Sequence, residues 1–286
     1  MLATLSLVKE KPMPESNDLA GGFTSIDDMA DKNAFIEYLK LIDSLAYFQE
    51  YKQRSFELLH ISEGSSVLEV GCGLGYDAVA IAERVGKSGS VVAIDASRIM
   101  IDQAEKWLEN LKLPITFRTG DAHQLSFEEG SFDAARVDRV LQHVPDPCPV
   151  IREMARVLRP GGKAVAIEPD WETFTISSAD KITTRSLVNF FSDRFENGTI
   201  GRHLYSYFGD AGLTNIEIFP ETLIITDFTL ADRLFDIINT TRQAAEAGIV
   251  MGCDAKGWLD ELRESDADNR FFCSYTGFMV CGTKEE

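Results

Sequence analysis

Three glycines and two acids in the first half of the chain have the spacing of a nucleoside site. Gly71, Gly73 and Gly75 stand in Val67-Leu68-Glu69-Val70-Gly71-Cys72-Gly73-Leu74-Gly75, an apolar strand pattern that runs into a glycine turn. A helix is predicted from Tyr76 to Val85. A strand, a tight turn and a helix bring backbone close to a ligand, because glycine has no Cβ to hold it off. A second apolar strand, Ser90 to Ile94, ends in Asp95, where a carboxylate suits the paired hydroxyls of a ribose. The second acid, Glu69, precedes the first glycine by two residues. It would sit badly beside a pyrophosphate and suits a ligand that brings positive charge, such as a sulfonium or an amino group.

The spacing G-x-G-x-G departs from the dinucleotide pattern G-x-G-x-x-G. The segment resembles the first motif of the class I S-adenosylmethionine-dependent methyltransferases. The resemblance covers about residues 45 to 170 and, in fold terms, continues to the C-terminus. Arg156-Val157-Leu158-Arg159-Pro160-Gly161-Gly162 strengthens it, since it resembles that family's helix-to-strand turn. The branch resembled most is the broad one of quinone-biosynthesis and natural-product enzymes. The resemblance implies S-adenosylmethionine as cofactor and a small-molecule methyl acceptor. It implies that Asp121, after the third strand, pairs with the adenine amino group, with Ala122, Ala96 or Met100 packing on the adenine face. Val137, at the end of the fourth strand, is taken as a further cofactor contact. Two alternatives stay open: a nicotinamide-dependent oxidoreductase, and a non-catalytic nucleoside-binding protein of the same fold.

The elements that must position these residues alternate. Strands are predicted at 115–119, 132–137 and 163–167, with helices at 97–112 and 149–158. Further on, helices are predicted around 187–195, 201–212, 230–247 and 255–263, and strands at 215–219, 222–225 and 271–282. The expected fold is α/β, a doubly wound seven-stranded Rossmann-like sheet whose last strand is antiparallel. Before it, residues 31–60 have apolar residues at helical spacing, for two helices or one bent helix. They either pack on the sheet or form a lid, with Tyr47, Tyr51 or Arg54 facing the methionine end of the cofactor. The expected organisation is a loose tail over 1–18, a helical lid over 19–60 and the main domain over 61–286, with substrate-cap helices about 175–212.

Candidate chemistry lies after the fourth and fifth strands. His143 could accept a proton from an acceptor hydroxyl, amine or indole nitrogen, or could simply hold its own loop. Glu168 and Asp170 could act as base or bind an amine, or could order the loop instead. Tyr38, Trp171, Phe191 and His203 are the candidate acceptor contacts. The first three belong to an aromatic set that includes Phe23, Phe174, Phe190, Phe195, Tyr205 and Tyr207. The four histidines show no metal spacing, and no metal is expected.

The totals narrow the partners. The formal net charge is −18, which disfavours nucleic acid as substrate and docking on anionic lipid. The five cysteines are scattered, and none forms a C-x-x-C pair, so reduced thiols and a cytoplasmic location are expected. Leu2 to Val8 is too short for a membrane span, and no membrane insertion is expected.

Overall fold

A computed structural model describes Asp27 and residues 33–285. The expected tail over 1–18 and the aromatic Phe23 lie outside the described residues. The first strand, β1 (Ser66–Val70), is central, and β2 (Ser90–Asp95) and β4 (Phe132–Asp138) pair with it in parallel on either side. β3 (Ile115–Thr119) continues beyond β2. β5 (Leu158–Ile176) continues beyond β4, in parallel. β7 (Cys273–Lys284) then pairs antiparallel with both β5 and β6 (Leu213–Ile225), for the order β3-β2-β1-β4-β5-β7-β6. The doubly wound sheet with an antiparallel last strand is therefore present.

Period-two alternation assigns the strand residues to two faces. On β1, Val67 joins one apolar cluster, and Leu68 and Val70 join the other. On β4, Ala134 joins the first cluster, and Ala135 and Val137 join the second. Glu69 and Arg136 thus share the first face, and they stand directly opposite each other in the β1–β4 register. α3 (Tyr76–Val85) covers that face through Ala78, Ile81 and Val85. α5 (Pro147–Val157) covers the other face through Val150, Ile151 and Met154.

Local signals set most helix ends. Ser97 caps α4 (Arg98–Leu108) by accepting from the Met100 N–H. Asp146 caps α5, with Pro147 in its first turn. Asp180 caps α6 (Lys181–Ser192), and α7 (Ile200–Asp210) follows. The helix predicted over 230–247 is two: α8 (Phe228–Phe235) and α9 (Ile237–Glu246). They break at Asp236, whose φ of 52° is left-handed. α10 (Gly252–Ala267) precedes β7. β6 runs unbroken through Pro220, and β5 is longer than predicted. The segment 31–60 forms two helices, α1 (Asn33–Ser44) and α2 (Ala46–Leu58).

α2 is fastened to the sheet by a buried polar cluster. The Arg136 guanidinium, with no exposed surface, donates from Nε to Ser55 Oγ (2.8 Å) and from Nη1 to Glu69 Oε1 (2.5 Å) and Asp77 Oδ2 (3.0 Å). Its Nη2 donates to Asp138 Oδ2 (2.9 Å). Lys52 on α2 pairs with Asp77 Oδ1 at 2.8 Å, and the Tyr51 hydroxyl donates to Asp138 (3.0 Å). Among the described residues no helix is long and apolar enough to cross a membrane. Removing the central cation would leave three buried or partly buried carboxylates without it. Arg136→Met should therefore lower stability by about 3–5 kcal/mol, read from urea denaturation of the two proteins.

Candidate active site

A cavity of about 420 Å³ opens over the carboxyl ends of β1, β2 and β4. Strand order reverses at β1, which makes this the crevice where open α/β sheets take ligands. One end is polar and is formed by Glu69, Gly71, Gly73, Asp95, Ala96, Met100, Asp121 and Ala122. The other is mostly aromatic, and Tyr38, Trp171 and Phe191 face it together with His143. Twelve of the residues singled out in the sequence are thus brought to one cavity.

At the polar end the glycine turn differs from its expected role. The Gly71 and Cys72 N–H groups donate to Ile94 O (2.8 and 2.9 Å), and the Gly73 N–H donates to Asp95 Oδ2 (2.8 Å). These donors hold the turn to β2 rather than pointing at a ligand. Gly71 is required by crowding as well: its φ is +71°, and a Cβ would fall 2.1 Å from the Val140 side chain.

Asp95 Oδ1 also accepts from the Ser97 N–H (2.9 Å). Burial raises the Asp95 pKa, and the Ser97 and Gly73 N–H groups counter that rise. Each oxygen keeps acceptor capacity for a hydroxyl. Burial pushes the Glu69 carboxyl up to about 8, although the Arg136 guanidinium beside it pulls the other way. Sequence reasoning pointed Glu69 at a cationic ligand, and the protein's own cation takes one of its oxygens. The other, Oε2, is buried without a hydrogen-bond partner among the described residues. Asp121 is exposed at the rim, accepting from the His123 N–H (2.8 Å) and lying 2.7 Å from its Nδ1. His123 thereby holds the Asp121 carboxyl below its ordinary value.

At the aromatic end, the Trp171 ring stacks on Phe195 (5.0 Å between centroids) and lies 4.8 Å from Tyr275. Phe191 meets Trp171 edge-on at 5.1 Å. The Trp171 indole N–H donates to Gln142 Oε1 (2.8 Å). The half-buried His143 ring lies 5.8 Å from Phe195. Such a chamber can orient an apolar ring and exclude water from it.

Several expected site residues lie elsewhere. Glu168 and Asp170 do not reach the cavity, because alternation along β5 turns both to the opposite face, while Trp171 faces in. Glu168 Oε1 accepts from the N–H groups of Val140 (2.8 Å) and Leu141 (2.6 Å), and Oε2 from that of Gln142 (3.3 Å). Asp170 is ion-paired with Arg202 on α7. Val137 is turned into the second apolar cluster by the same alternation.

Tyr47 donates to Glu221 O (2.9 Å), and Arg54 pairs with the Glu221 carboxylate (2.9 Å) while lying over Phe219, so both tie α2 to β6. Gly75 begins α3 outside the cavity, where a Cβ would meet the Phe117 ring at 2.8 Å. His203 is exposed on α7, stacked on Tyr207. The cap expected over 175–212 divides as well: α6 supplies Phe191, while α7 packs Ile200, Leu204 and Phe208 against the opposite face.

Sequence reasoning missed other lining residues: Asp27, Asp138, Arg139, Arg194, Phe235 and Tyr275. The available signal was the charge in Arg136-Val137-Asp138-Arg139, at the end of a strand otherwise rich in alanine and valine. Asp27 accepts from the Arg98 N–H (3.0 Å) and from the Ser97 hydroxyl, so it holds the start of α4 at the cavity wall.

A seven-stranded sheet in this order, with an acid-lined glycine turn at the switch point, defines a nucleoside-binding α/β enzyme fold. Residues 67–162 match the family described as methyltransferase domain. A demethylmenaquinone methyltransferase of Bacillus velezensis is 30% identical over 195 residues, which are 62% of this chain and 84% of that protein. An uncharacterized 37.1 kDa protein in transposon TN4556 of Streptomyces fradiae is 37% identical over 246 residues, 86% of this chain and 70% of that one. Among solved structures, the phosphoethanolamine N-methyltransferase 2 of Haemonchus contortus, in complex with S-adenosyl-L-methionine, has a TM-score of 0.59 at 18% identity. That match covers 92% of this chain and 60% of that one. The YcgJ protein from Bacillus subtilis has a TM-score of 0.58 at 17% identity, over 83% of this chain and 99% of its own. The chain belongs to the class I S-adenosylmethionine-dependent methyltransferases. The nicotinamide-dependent alternative is thereby set aside.

Glu168 offers a check on the geometry. If it orders the 140–142 turn, Glu168→Ala strips an acceptor from three N–H groups. It should then lower stability by roughly 1–3 kcal/mol, measured by thermal unfolding. Unchanged stability with lost turnover would return Glu168 to a chemical role.

Proposed function

We propose that the protein transfers a methyl group from S-adenosylmethionine to a small, apolar or aromatic acceptor. The observation that carries this reading is the continuity of one cavity from the Glu69–Asp95 end to the Trp171–Phe191 end. The residues present fit the donor. The buried, unpartnered Glu69 Oε2 suits its ammonium group, and Asp95 suits its ribose hydroxyls. Ala96, Met100 and Ala122 would hold the adenine faces, and Asp121 the exocyclic amine. The donor supplies a methyl group already activated by a sulfonium. The chain then has to align the acceptor, exclude water and take up a proton where the acceptor carries one.

α1 and α2 act as the lid, since Tyr38, Leu39, Phe48 and Lys52 line the cavity from above the sheet. His143, which lines the cavity, would receive the acceptor's proton. A ring acceptor agrees with the aromatic chamber and with a relative that is a demethylmenaquinone methyltransferase. The net charge of −18 argues against nucleic acid as acceptor, and the scattered cysteines argue for a cytoplasmic setting.

Calorimetric titration with S-adenosylmethionine, S-adenosylhomocysteine and NAD tests the cofactor site. Binding of the first two alone is expected; no binding of either would overturn the site. Transfer of labelled methyl to a panel of phenols, quinols and arylamines tests the acceptor class, and transfer only to non-aromatic polar acceptors would sink it.

Glu69 should make donor binding pH-dependent. Its carboxyl, held near 8, is largely protonated at about pH 7, whereas an ammonium against Oε2 favours the ionised form. Binding should therefore release a proton, and affinity should rise with pH up to about 8. Titrations in phosphate and in Tris at one pH read that release, and Glu69→Gln should abolish it.

His143→Ala should bind S-adenosylhomocysteine as the parent does and lower kcat by roughly 10²-fold or more. Full activity would remove His143 as base.

A further inference from the structure

At the end of β4 the chain does something a non-glycine residue rarely does. Arg139 takes a left-handed conformation, with φ at 56°. Its backbone is held there from two sides: its N–H donates to Ile167 O (2.8 Å), and its O accepts from Gln142 Nε2 (3.3 Å). Gln142 is fixed in turn by the Trp171 indole N–H. The guanidinium is placed against the Phe48 ring, 5.0 Å from its centroid, at the cavity wall.

The cation is under-used by the protein. Arg136 makes four hydrogen bonds, to Ser55, Glu69, Asp77 and Asp138. The Arg139 side chain makes one among the described residues, a long Nε contact of 3.3 Å to Asp138 Oδ1. That oxygen also accepts from Tyr51, and the Asp138 carboxylate is already held by Arg136. Both terminal nitrogens of Arg139 are left without a protein acceptor among the described residues. Arg194, Asp236 and His143 line the same cavity. Arg194 donates to Thr240 Oγ1, Asp236 accepts from Asn239, and His143 lies against Phe195. Tyr38, Tyr51 and Tyr275 surround Arg139 and contribute phenol hydroxyls, not carboxylates. A planar fork with its two outer nitrogens unoccupied, at the wall of an apolar chamber, is the geometry for bidentate capture of a carboxylate.

We propose that the acceptor carries an anionic substituent, a carboxylate or an ionised phenol, and that Arg139 anchors it while the Trp171 chamber holds its apolar body. The inference rests on the methyl-transfer reading above and narrows its acceptor class. The anchor fixes which atom of the ring faces the donor, so Arg139 sets specificity and does not itself take part in bond making. The cofactor also carries a carboxylate of its own, and the experiment separates the two sources.

The test uses the full chain loaded with S-adenosylhomocysteine, titrated with 2-naphthoate and with its uncharged isostere 2-naphthamide, followed by Trp171 fluorescence and by calorimetry. The naphthoate should bind about tenfold or more tighter than the amide. Arg139→Gln should erase that preference, and Arg139→Lys should retain part of it, with S-adenosylhomocysteine affinity unchanged in both. Equal binding of acid and amide to the parent, or binding of neither while S-adenosylhomocysteine binds, overturns the anionic acceptor and leaves the methyltransferase site intact. Loss of S-adenosylhomocysteine affinity in Arg139→Gln, with the naphthoate preference kept, overturns it by assigning Arg139 to the cofactor. Failure of the parent to bind S-adenosylhomocysteine would instead overturn the donor site on which the inference stands.

Discussion

The buried Arg136 guanidinium is the interaction on which the rest of the structure depends. A charge with no exposed surface is tolerated only when its donors are met, and here they are met from four elements. Glu69 comes from β1, Asp77 from α3, Asp138 from β4 itself and Ser55 from α2. Since Glu69 and Arg136 are register partners, pairing β1 with β4 also sets the hydrogen bond between them. The helices that lie over the cavity are thus attached through charge as well as through apolar packing, and Lys52 and Tyr51 extend the attachment along α2.

That cluster also explains why the cavity has two characters. Its polar members line the end near the glycine turn, where Glu69 is held rigid by one oxygen and left open at the other. Past Asp138 the chain turns through Arg139, and the wall beyond is mostly aromatic: Trp171 from β5, Phe191 from α6, Tyr275 from β7. A methyl transfer needs this division. The donor is a polar, charged molecule that must be gripped, and the acceptor must meet the methyl carbon with water excluded. The border between the two regions falls at the end of β4, where Glu168 fixes the 140–142 turn from the opposite face of the sheet.

Much of the architecture was legible because it is written in local patterns. Val67 to Val70, Ser90 to Ile94 and Phe132 to Val137 are short apolar runs next to glycine or acid, and all became strands of the parallel core. Ser97, as a cap, and the glycines of the turn have roles that depend on their own backbone, so their chemistry shows in the sequence. What misled was position along a strand without knowledge of its face. Glu168, Asp170 and Val137 stand at strand ends near the crevice in sequence, and alternation turns them away. Tyr47 and Arg54 fail for a related reason, since their partner Glu221 is far along the chain on β6.

The amino-acid sequence by itself determined the doubly wound fold and the glycine turn with Glu69 and Asp95, because these rest on periodicity and short-range spacing, and the family through the resemblance of that turn to a known motif. The tertiary structure alone decided which charges oppose one another and which side chains reach the cavity. Glu69 meets Arg136 only after β1 and β4 pair, and Tyr275 meets Trp171 only after β7 returns beside β5. Sequence spacing carries no record of strand register between distant segments, and that register is what placed Arg139 at the wall of the aromatic chamber.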